Sequence, residues 1–306
     1  MKKILFILML TTSIICQAHE GGNFVASDIQ KELGKGDKVA LLMVHFGTTY
    51  DDTRAVTIDA INQKAKETFK DLEIREAYTS RIVMRRLNDR GIVKADPVSA
   101  LLRLKADGYT HVLVQSSNII EGVEMESLRR DVASVKQFFK EIRVGNPLLY
   151  ATEDFERVAD IFINTYPEKK DFVLVGHGTY TPSTASYAMM DYIFKAKGNG
   201  NFHVGTVEAY PTFDNVVDQL KVRKAKQVCL IPFMFVAGDH ANNDIAGDWK
   251  DDLEKAGYKV DVAMKGLGEY PEIQDIFIEH IQFIMHHRML DIMDKKKAYA
   301  AGAEVH

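Results

Sequence analysis

Apolar runs of strand length alternate with helical patterns along most of the chain. Between these runs, apolar residues recur every three or four positions, as on one face of a helix. The predicted strands cover residues 39–46, 73–78, 111–117, 172–176, 202–210, 227–235 and 259–264. The predicted helices cover residues 53–69, 97–106, 124–139, 155–166, 183–196, 213–222, 245–256 and 272–287. This alternation predicts an α/β fold, in which helices cover a parallel sheet.

The two halves of the chain resemble each other at three places, and the three occur in the same order. The matched pairs are VHFGTTY (44–50) with VGHGTYT (175–181), REAYTS (75–80) with VEAYPT (207–212), and HVLVQSSNIIEGVE (111–124) with QVCLIPFMFVAGDH (227–240). Each matched segment is a predicted strand end with its loop, which indicates an internal duplication. We therefore predict two duplicated α/β lobes, at residues 38–150 and 168–289, each a parallel sheet flanked by helices.

Two histidines follow predicted strands in the second half. His177 lies between Gly176 and Gly178, and His240 follows the glycine of FVAGDH. Ligands of open parallel sheets bind outside the carboxyl ends of the strands, so two facing lobes would bring both histidines to one cleft. The position that matches His240 in the first half is Glu124. His177, His240 and Glu124 are therefore candidates for one cluster.

The residue types in this cluster suit a metal. Two neutral imidazoles and a carboxylate bind divalent Co, Fe, Ni or Zn, and glycines beside a histidine let the backbone approach a flat or bulky ligand. Glu124 also has a structural interpretation, because acidic residues favour the start of a helix. The sequence has no GxGxxG loop, P-loop, HExxH motif or serine nucleophile elbow, so we expect no nucleotide cofactor.

The first residues are typical of an export signal. Lys2 and Lys3 precede an apolar run, and Cys16-Gln17-Ala18 offers a small-x-small cleavage site. We predict that residues 1–18 are a signal peptide, and that the protein is periplasmic or associated with the outer membrane. The run is too short to span a bilayer, and its alternative is an amphipathic first helix. Lipid attachment at Cys16 would associate the protein with the membrane, although Ile15 matches that signal poorly.

Composition narrows the choice of partners. The chain has 306 residues, 46% of them hydrophobic, and a formal net charge of -4. No basic block indicates a nucleic-acid partner. After removal of the signal peptide only Cys229 remains, which we interpret as a buried small hydrophobic residue rather than half of a disulfide. The sequence leaves homo-oligomerisation open.

Six motifs together carry a family resemblance. They are FGTTYDDT (46–53), VQSSNIIEGVEME (114–126), VGHG (175–178), VEAYP (207–211), FVAGDHANND (235–244) and GLGEYP (266–271). Through them, the chain resembles the anaerobic cobalt chelatases that insert Co²⁺ into sirohydrochlorin, the class II chelatases related in fold to ferrochelatase. The resemblance covers roughly residues 38–288.

This resemblance implies a chelatase-like fold with a tetrapyrrole bound between two lobes. His177 and His240 would hold the metal, and Glu124 would assist metal binding or accept a proton. The strand-end residues that would contact the substrate are His45, Thr48, Thr49, Ser117, Asn118, Gly176 and Gly178. Insertion displaces two pyrrole N–H protons, so bases must lie near the ring centre.

The chain departs from the family pattern in three places. Exported relatives carry a third histidine in the loop that reads QSSNII here, where Asn118 stands. The residues after GHG, which are often rich in histidine, are TYTP (179–182). His45 stands where a serine usually precedes FGT, and it is either an extra imidazole facing the cleft or a hydrogen-bonded residue under the loop.

Three functions remain open from the sequence. The first is insertion of Co²⁺ into sirohydrochlorin. The second is haem handling for iron acquisition, with the iron held by His177, His240 or His45 and removed by the protein. The third is a periplasmic metal-binding protein without catalysis, which needs only the histidines.

Substrate charge distinguishes the first two functions. Sirohydrochlorin carries eight carboxylates and haem carries two, so an arginine-lined cleft would favour sirohydrochlorin. The candidates are Arg81, Arg85, Arg86, Arg129 and Arg130. Their alternative is a place on solvated helix faces.

Overall fold

The computed structural model describes residues 23–302, so the predicted signal peptide at 1–18 lies outside the described residues. Residues 26–288 form one compact unit, which contains both large sheets. The described residues of a second unit are 23–25 and 289–302. Within that second unit the amide of Leu290 donates a hydrogen bond to the carbonyl of Asn23.

The order of elements follows the predicted alternation. The strands are β1 Phe24–Ala26, β2 Val39–His45, β3 Glu73–Tyr78, β4 His111–Ser116, β5 Glu141–Val144, β6 Asp171–Gly176, β7 Phe202–Thr206, β8 Gln227–Pro232, β9 Lys259–Val262 and β10 His287–Met289. The α-helices are α1 Asp51–Val56, α2 Ile58–Thr68, α3 Arg81–Asn88, α4 Pro97–Ala106, α5 Val123–Val135, α6 Thr152–Thr165, α7 Ala185–Ala196, α8 Phe213–Arg223, α9 Lys250–Lys255, α10 Pro271–His286 and α11 Ile292–Ala300. A π-helix spans Ala241–Trp249, and short 3₁₀ helices lie at Lys136–Phe138, Pro182–Thr184 and Leu267–Glu269. No helix between residues 23 and 302 is long and apolar enough to cross a membrane.

Two four-stranded sheets repeat one topology. Their strand orders are β3-β2-β4-β5 and β7-β6-β8-β9, and all of these pairings are parallel. In each sheet the strand that comes first in the chain, β2 or β6, lies between the second, β3 or β7, and the third, β4 or β8. Strands β2 and β6 are buried along their whole length, as expected for parallel strands covered by helices on both faces. The predicted fold class of two duplicated, helix-flanked parallel sheets is confirmed.

Each sheet has its own apolar core. In the first, Leu42 and Val114 of the strands pack with Leu128 of α5, and a second cluster surrounds Val173 and Leu230. Burial of each such side chain contributes roughly 1.5–3 kcal/mol, so the strands form a rigid base for the loops at their carboxyl ends. Cys229 is buried in β8, as predicted, and burial raises the pKa of its thiol.

The last helix of the compact unit joins its two halves. Helix α10 follows β9 of the second sheet in sequence, yet it packs against β4, α2 and α6. Phe277 of α10 meets the ring of Phe235, from the loop after β8, with ring centroids 5.7 Å apart. The lobe boundaries at 38–150 and 168–289 therefore remain a prediction.

Several local differences separate the structure from the predicted elements, among them β7, which ends at Thr206 instead of residue 210. Helix α3 and strand β5 were not predicted, because both are short and β5 carries the buried Arg143 in its middle. The predicted helix at 53–69 is broken at Thr57, whose hydroxyl donates to the carbonyl of Thr53. The predicted strand at 227–235 ends at Pro232, so residues 233–235 enter a loop beside the candidate site.

Candidate active site

A cleft of about 420 Å³ opens where the strands of both sheets end. Its walls are the segments that follow β2, β4, β6 and β8, together with α3 and the start of the π-helix. These are the carboxyl ends of parallel strands, where the duplication predicted a ligand. The apolar part of the wall includes Phe46, Ile82, Met234 and Val236.

In each half of the molecule, one glycine shapes the turn after a central strand of the sheet. Gly47 follows β2 with φ +98°, and Gly178 follows β6 with φ +94°. A Cβ on Gly47 would lie 2.5 Å from the Tyr78 ring, and one on Gly178 would lie 3.0 Å from the backbone nitrogen of Ala209. Both positions therefore require glycine for backbone conformation and for space.

The structure brings His177 and His240 together. Their ring centroids are 4.6 Å apart, with the planes nearly perpendicular at 86°. The Nδ1 atom of His177 lies 3.2 Å from the carbonyl of Gly178, and Nδ1 of His240 lies 2.6 Å from Oδ2 of Asp244. Among residues 23–302 the hydrogen bonds of both rings use Nδ1, which leaves the two Nε2 atoms for a ligand in the cleft.

Asp244 orients His240 through helix geometry. The π-helix begins directly after His240, and a residue four positions on lies on the same face. A carboxylate that accepts the second N–H of a histidine is typical of metal-binding imidazoles, because it fixes the ring and raises its basicity. π-Helical turns are themselves frequent at functional sites. The sequence reasoning missed Asp244, although its spacing from His240 could have indicated it.

The two candidate carboxylates differ in position. Glu124 lies on the cleft wall at the start of α5. Glu208, which sequence reasoning missed, has Oε2 4.0 Å from Nδ1 of His177, and its backbone amide donates to the His177 carbonyl. No three His, Cys, Asp or Glu side chains in residues 23–302 form a preassembled metal site. The structure brings the two histidines together, whereas Glu124 does not join them in the expected three-residue cluster.

Most of the other predicted contact residues line the cleft. These are Thr48, Thr49, Ser117, Asn118 and Gly178. Gly176 does not line it in the described part of the chain; it is buried at the end of β6 under Tyr187. A Cβ on Gly176 would lie 2.2 Å from Cε1 of Tyr187, so this glycine makes room for the tyrosine rather than for a ligand.

Tyr187 itself is a wall residue that sequence reasoning missed. Burial raises the pKa of its hydroxyl to about 12, and the backbone of Gly178 hydrogen-bonds to it. The phenol therefore remains protonated near neutral pH. It offers a hydrogen-bond donor to the cleft, and it is not a base.

His45 lies at the base of the cleft with only 1% of its surface exposed. Its Nδ1 is 2.9 Å from the Ser117 hydroxyl and its Nε2 is 3.0 Å from Oδ1 of Asn62. The ring stacks on Phe235, and burial lowers the pKa of the imidazole. Of the two interpretations given for His45, this geometry favours the hydrogen-bonded residue under the loop.

Only one of the five candidate arginines lines the cleft in the described residues. Arg86 does so from α3, and pairs with Asp239. Arg129 and Arg130 border a separate depression and pair with glutamates on their own segment. Arg81 is exposed near Asp96.

Comparison with known proteins identifies relatives of this fold and site. The model of the cobalt chelatase (CbiK) family matches residues 39–286. The sirohydrochlorin cobaltochelatase of Salmonella typhimurium (strain LT2) is 35% identical over 252 residues, which are 80% of this chain and 95% of that protein. Sirohydrochlorin cobaltochelatase CbiKC of Nitratidesulfovibrio vulgaris is 32% identical over 255 residues, 80% of this chain and 89% of that protein.

Solved structures agree with the fold. SirB from Bacillus subtilis with Fe³⁺ has a TM-score of 0.58 at 14% identity, and covers 80% of this chain and 95% of its own. The sirohydrochlorin chelatase SirB from Bacillus subtilis subspecies spizizenii in complex with cobalt has a TM-score of 0.56 at 12% identity, with 80% and 94% covered. At this identity the likeness concerns the fold alone. By the extent of the family match and the identity to its curated relatives, the chain belongs to the cobalt chelatase (CbiK) family.

Proposed function

We propose that this protein inserts Co²⁺ into sirohydrochlorin in the cleft between its two sheets. The observation that carries the proposal is the His177–His240 pair, 4.6 Å apart between ring centroids at the strand ends. Both curated relatives described above bear the name of this activity.

Co²⁺ is a substrate here, so it must be held and then released. Two neutral imidazoles suit this task, because they bind the metal with fewer ligands than a closed structural site. The exposed carboxylate of Glu208 lies near Nδ1 of His177, where it can help to orient this ring. The hydrogen bond from His240 to Asp244 fixes one ring for the transfer.

The pyrrole protons need an acceptor when the metal enters the ring. Glu124 is our candidate, because it lies on the wall of the same cleft and a carboxylate is a competent base. We expect Glu124→Gln to leave sirohydrochlorin binding mostly intact and to slow Co²⁺ insertion, since the amide keeps the shape but accepts no proton. Equal insertion rates for this variant and the wild type would remove Glu124 from the mechanism.

The location of the reaction is part of the proposal. The KK-apolar-CQA leader supports export, which would place the cleft outside the cytoplasm. Intact-mass measurement of the native protein tests this, with a mature start near His19 as the expected result. Retention of residues 1–18 would contradict it, and a lipid adduct on Cys16 would place the protein at a membrane.

A second candidate function, haem binding with removal of iron, is favoured by the charge of the cleft. Among the described lining residues there is one arginine, Arg86, against the carboxylates of Glu124, Asp239 and Asp244. Haem has two carboxylates and needs fewer cations than sirohydrochlorin. In this case His177 and His240 are the iron ligands, because both nitrogens of His45 are already hydrogen-bonded.

One experiment separates the candidates. Purified native protein is mixed with sirohydrochlorin and Co²⁺, and separately with haemin, and absorption spectra are followed. Faster formation of cobalt-sirohydrochlorin than in buffer supports insertion, while Soret binding and loss of iron support haem handling. His177→Ala should abolish the effect, and His286→Ala, which removes an exposed histidine near Asp28, is the matched control. Metal binding with neither reaction would leave the non-catalytic function.

A further inference from the structure

An ion pair crosses the cleft beside the metal-binding pair. Nη1 of Arg86 lies 2.8 Å from Oδ2 of Asp239. Arg86 belongs to α3, which follows the first sheet's strand β3, and Asp239 immediately precedes His240 in the loop after β8. Both residues line the cleft. The pair therefore connects the first half of the molecule to the loop that carries one candidate metal ligand.

A second group from the first half acts on the same carboxylate. Its interaction with Asp239 raises the pKa of the Tyr50 hydroxyl. Tyr50 also lines the cleft. Asp239 is thus paired with Arg86 and interacts with Tyr50, both from the first half of the molecule, in the free protein.

The ion pair has the properties of an exchangeable contact. The side chain of Arg86 is 54% exposed and that of Asp239 is 47% exposed. Exposed pairs of this kind contribute little to stability, because water solvates both charges well. A carboxylate of a ligand could therefore replace Asp239 at small cost, and the planar guanidinium matches a carboxylate with two parallel hydrogen bonds.

Arg86 is also the one cation among the described lining residues. A substrate that carries several carboxylates would otherwise meet only the acids of the wall, which repel it. In the free protein the charge of Arg86 is neutralised by Asp239. It becomes available to a substrate when the Asp239 carboxylate is displaced.

We infer that Arg86 anchors one peripheral carboxylate of the tetrapyrrole, and that Asp239 holds the anchor in the free protein and competes with the substrate for it. This inference rests on the proposed function, since it names how the same cleft recognises its substrate. Arg86 binds and positions the macrocycle; it takes no part in metal transfer.

Substitutions of Arg86 and of Asp239 should have opposite effects on substrate binding. Arg86→Gln should raise the KM for sirohydrochlorin roughly three- to tenfold, with kcat less affected, because a charge-assisted contact to the substrate is lost. Asp239→Asn should lower the KM roughly two- to fivefold, because the anchor loses its competitor and the wall loses a negative charge. A purely structural link between the halves would instead make both variants worse in the same direction.

Direct binding provides the decisive readout. Metal-free sirohydrochlorin is titrated into wild type, Arg86→Gln, Arg86→Lys and Asp239→Asn, and its absorption is followed at low and high salt. Arg86→Gln should bind more weakly and with a smaller salt dependence, Arg86→Lys should recover part of the loss, and Asp239→Asn should bind more tightly. Arg85→Gln is the matched control, because Arg85 is the exposed neighbour that does not line the cleft in the described structure.

The outcomes separate the anchor from the function on which it rests. No binding of sirohydrochlorin to the wild type would overturn the proposed function. Tight binding by the wild type with equal affinity in Arg86→Gln would overturn the anchor alone. Weaker binding in both Arg86→Gln and Asp239→Asn would also overturn it, in favour of a structural link.

Discussion

Replacement of Asp244 by asparagine should weaken Co²⁺ binding while leaving the fold intact. In the structure, Nδ1 of His240 lies 2.6 Å from Oδ2 of Asp244, a distance typical of a charge-assisted hydrogen bond. Asparagine keeps the size of the side chain and retains an oxygen acceptor, but it removes the negative charge. The variant therefore tests the charge that orients and polarises the imidazole.

The magnitude follows from this one contact. A hydrogen bond to a charged group contributes about 1.5–3 kcal/mol, and one between neutral groups about 0.5–1.5 kcal/mol. Partners that orient metal-binding histidines change metal affinity roughly 10- to 100-fold. The Asp244 side chain is 25% exposed, which places the effect toward the lower end. We expect a loss of about 1–2 kcal/mol, or roughly 5- to 30-fold in the dissociation constant of Co²⁺.

Calorimetric titration of Co²⁺ into the metal-free protein measures this loss. Asp248→Asn is the matched control, because Asp248 is an exposed residue of the same π-helix that does not line the cleft in the described structure. Thermal midpoints should be similar for both variants. An affinity within about twofold of the wild type for Asp244→Asn would refute the role of this carboxylate, and equal losses in both variants would attribute the effect to general charge.

Three further predictions concern the same region. The chelation rate should fall more than about tenfold in His177→Ala and in His240→Ala. Because the two residues act as a unit, the rate of the double variant should lie within about threefold of either single variant. Additive losses in a rate assay would contradict this. Gly47→Ala should lower the free energy of unfolding, measured with denaturant, by roughly 2–5 kcal/mol, because the position has a positive φ and a Cβ there clashes with a tyrosine ring. The control Gly36→Ala should lower it by about 1–2 kcal/mol, because Gly36 has a positive φ but open space around it. Burial lowers the pKa of His45, so the unfolded chain takes up a proton that the folded chain does not, and stability should fall as pH drops below about 6.5. Unfolding of His45→Gln on both sides of that pH should show a smaller slope, and an unchanged slope would place the effect elsewhere.

The sequence by itself determined the architecture and the positions of the strands of both large sheets except β5. Buried parallel strands show as continuous apolar runs, and helices show as an apolar repeat of 3.6 residues. Both kinds of element can therefore be recognised from a short stretch of sequence. The positive φ of Gly47 and Gly178 is a local property of each turn, and it excludes most side chains. His177 and His240 were found because duplicated strand ends in a parallel fold must face one cleft.

Only the tertiary structure decided which side chains meet in that cleft. The 4.6 Å between the histidine rings, the approach of Glu208 to His177 and the contact of Arg86 with Asp239 join residues that are far apart in sequence. Such contacts depend on how sheets and helices pack, which no local period encodes. The same holds for His45, whose two hydrogen bonds come from different elements. A histidine at a strand end looks the same in sequence whether its nitrogens face a ligand or a buried neighbour, and packing alone separates the two cases.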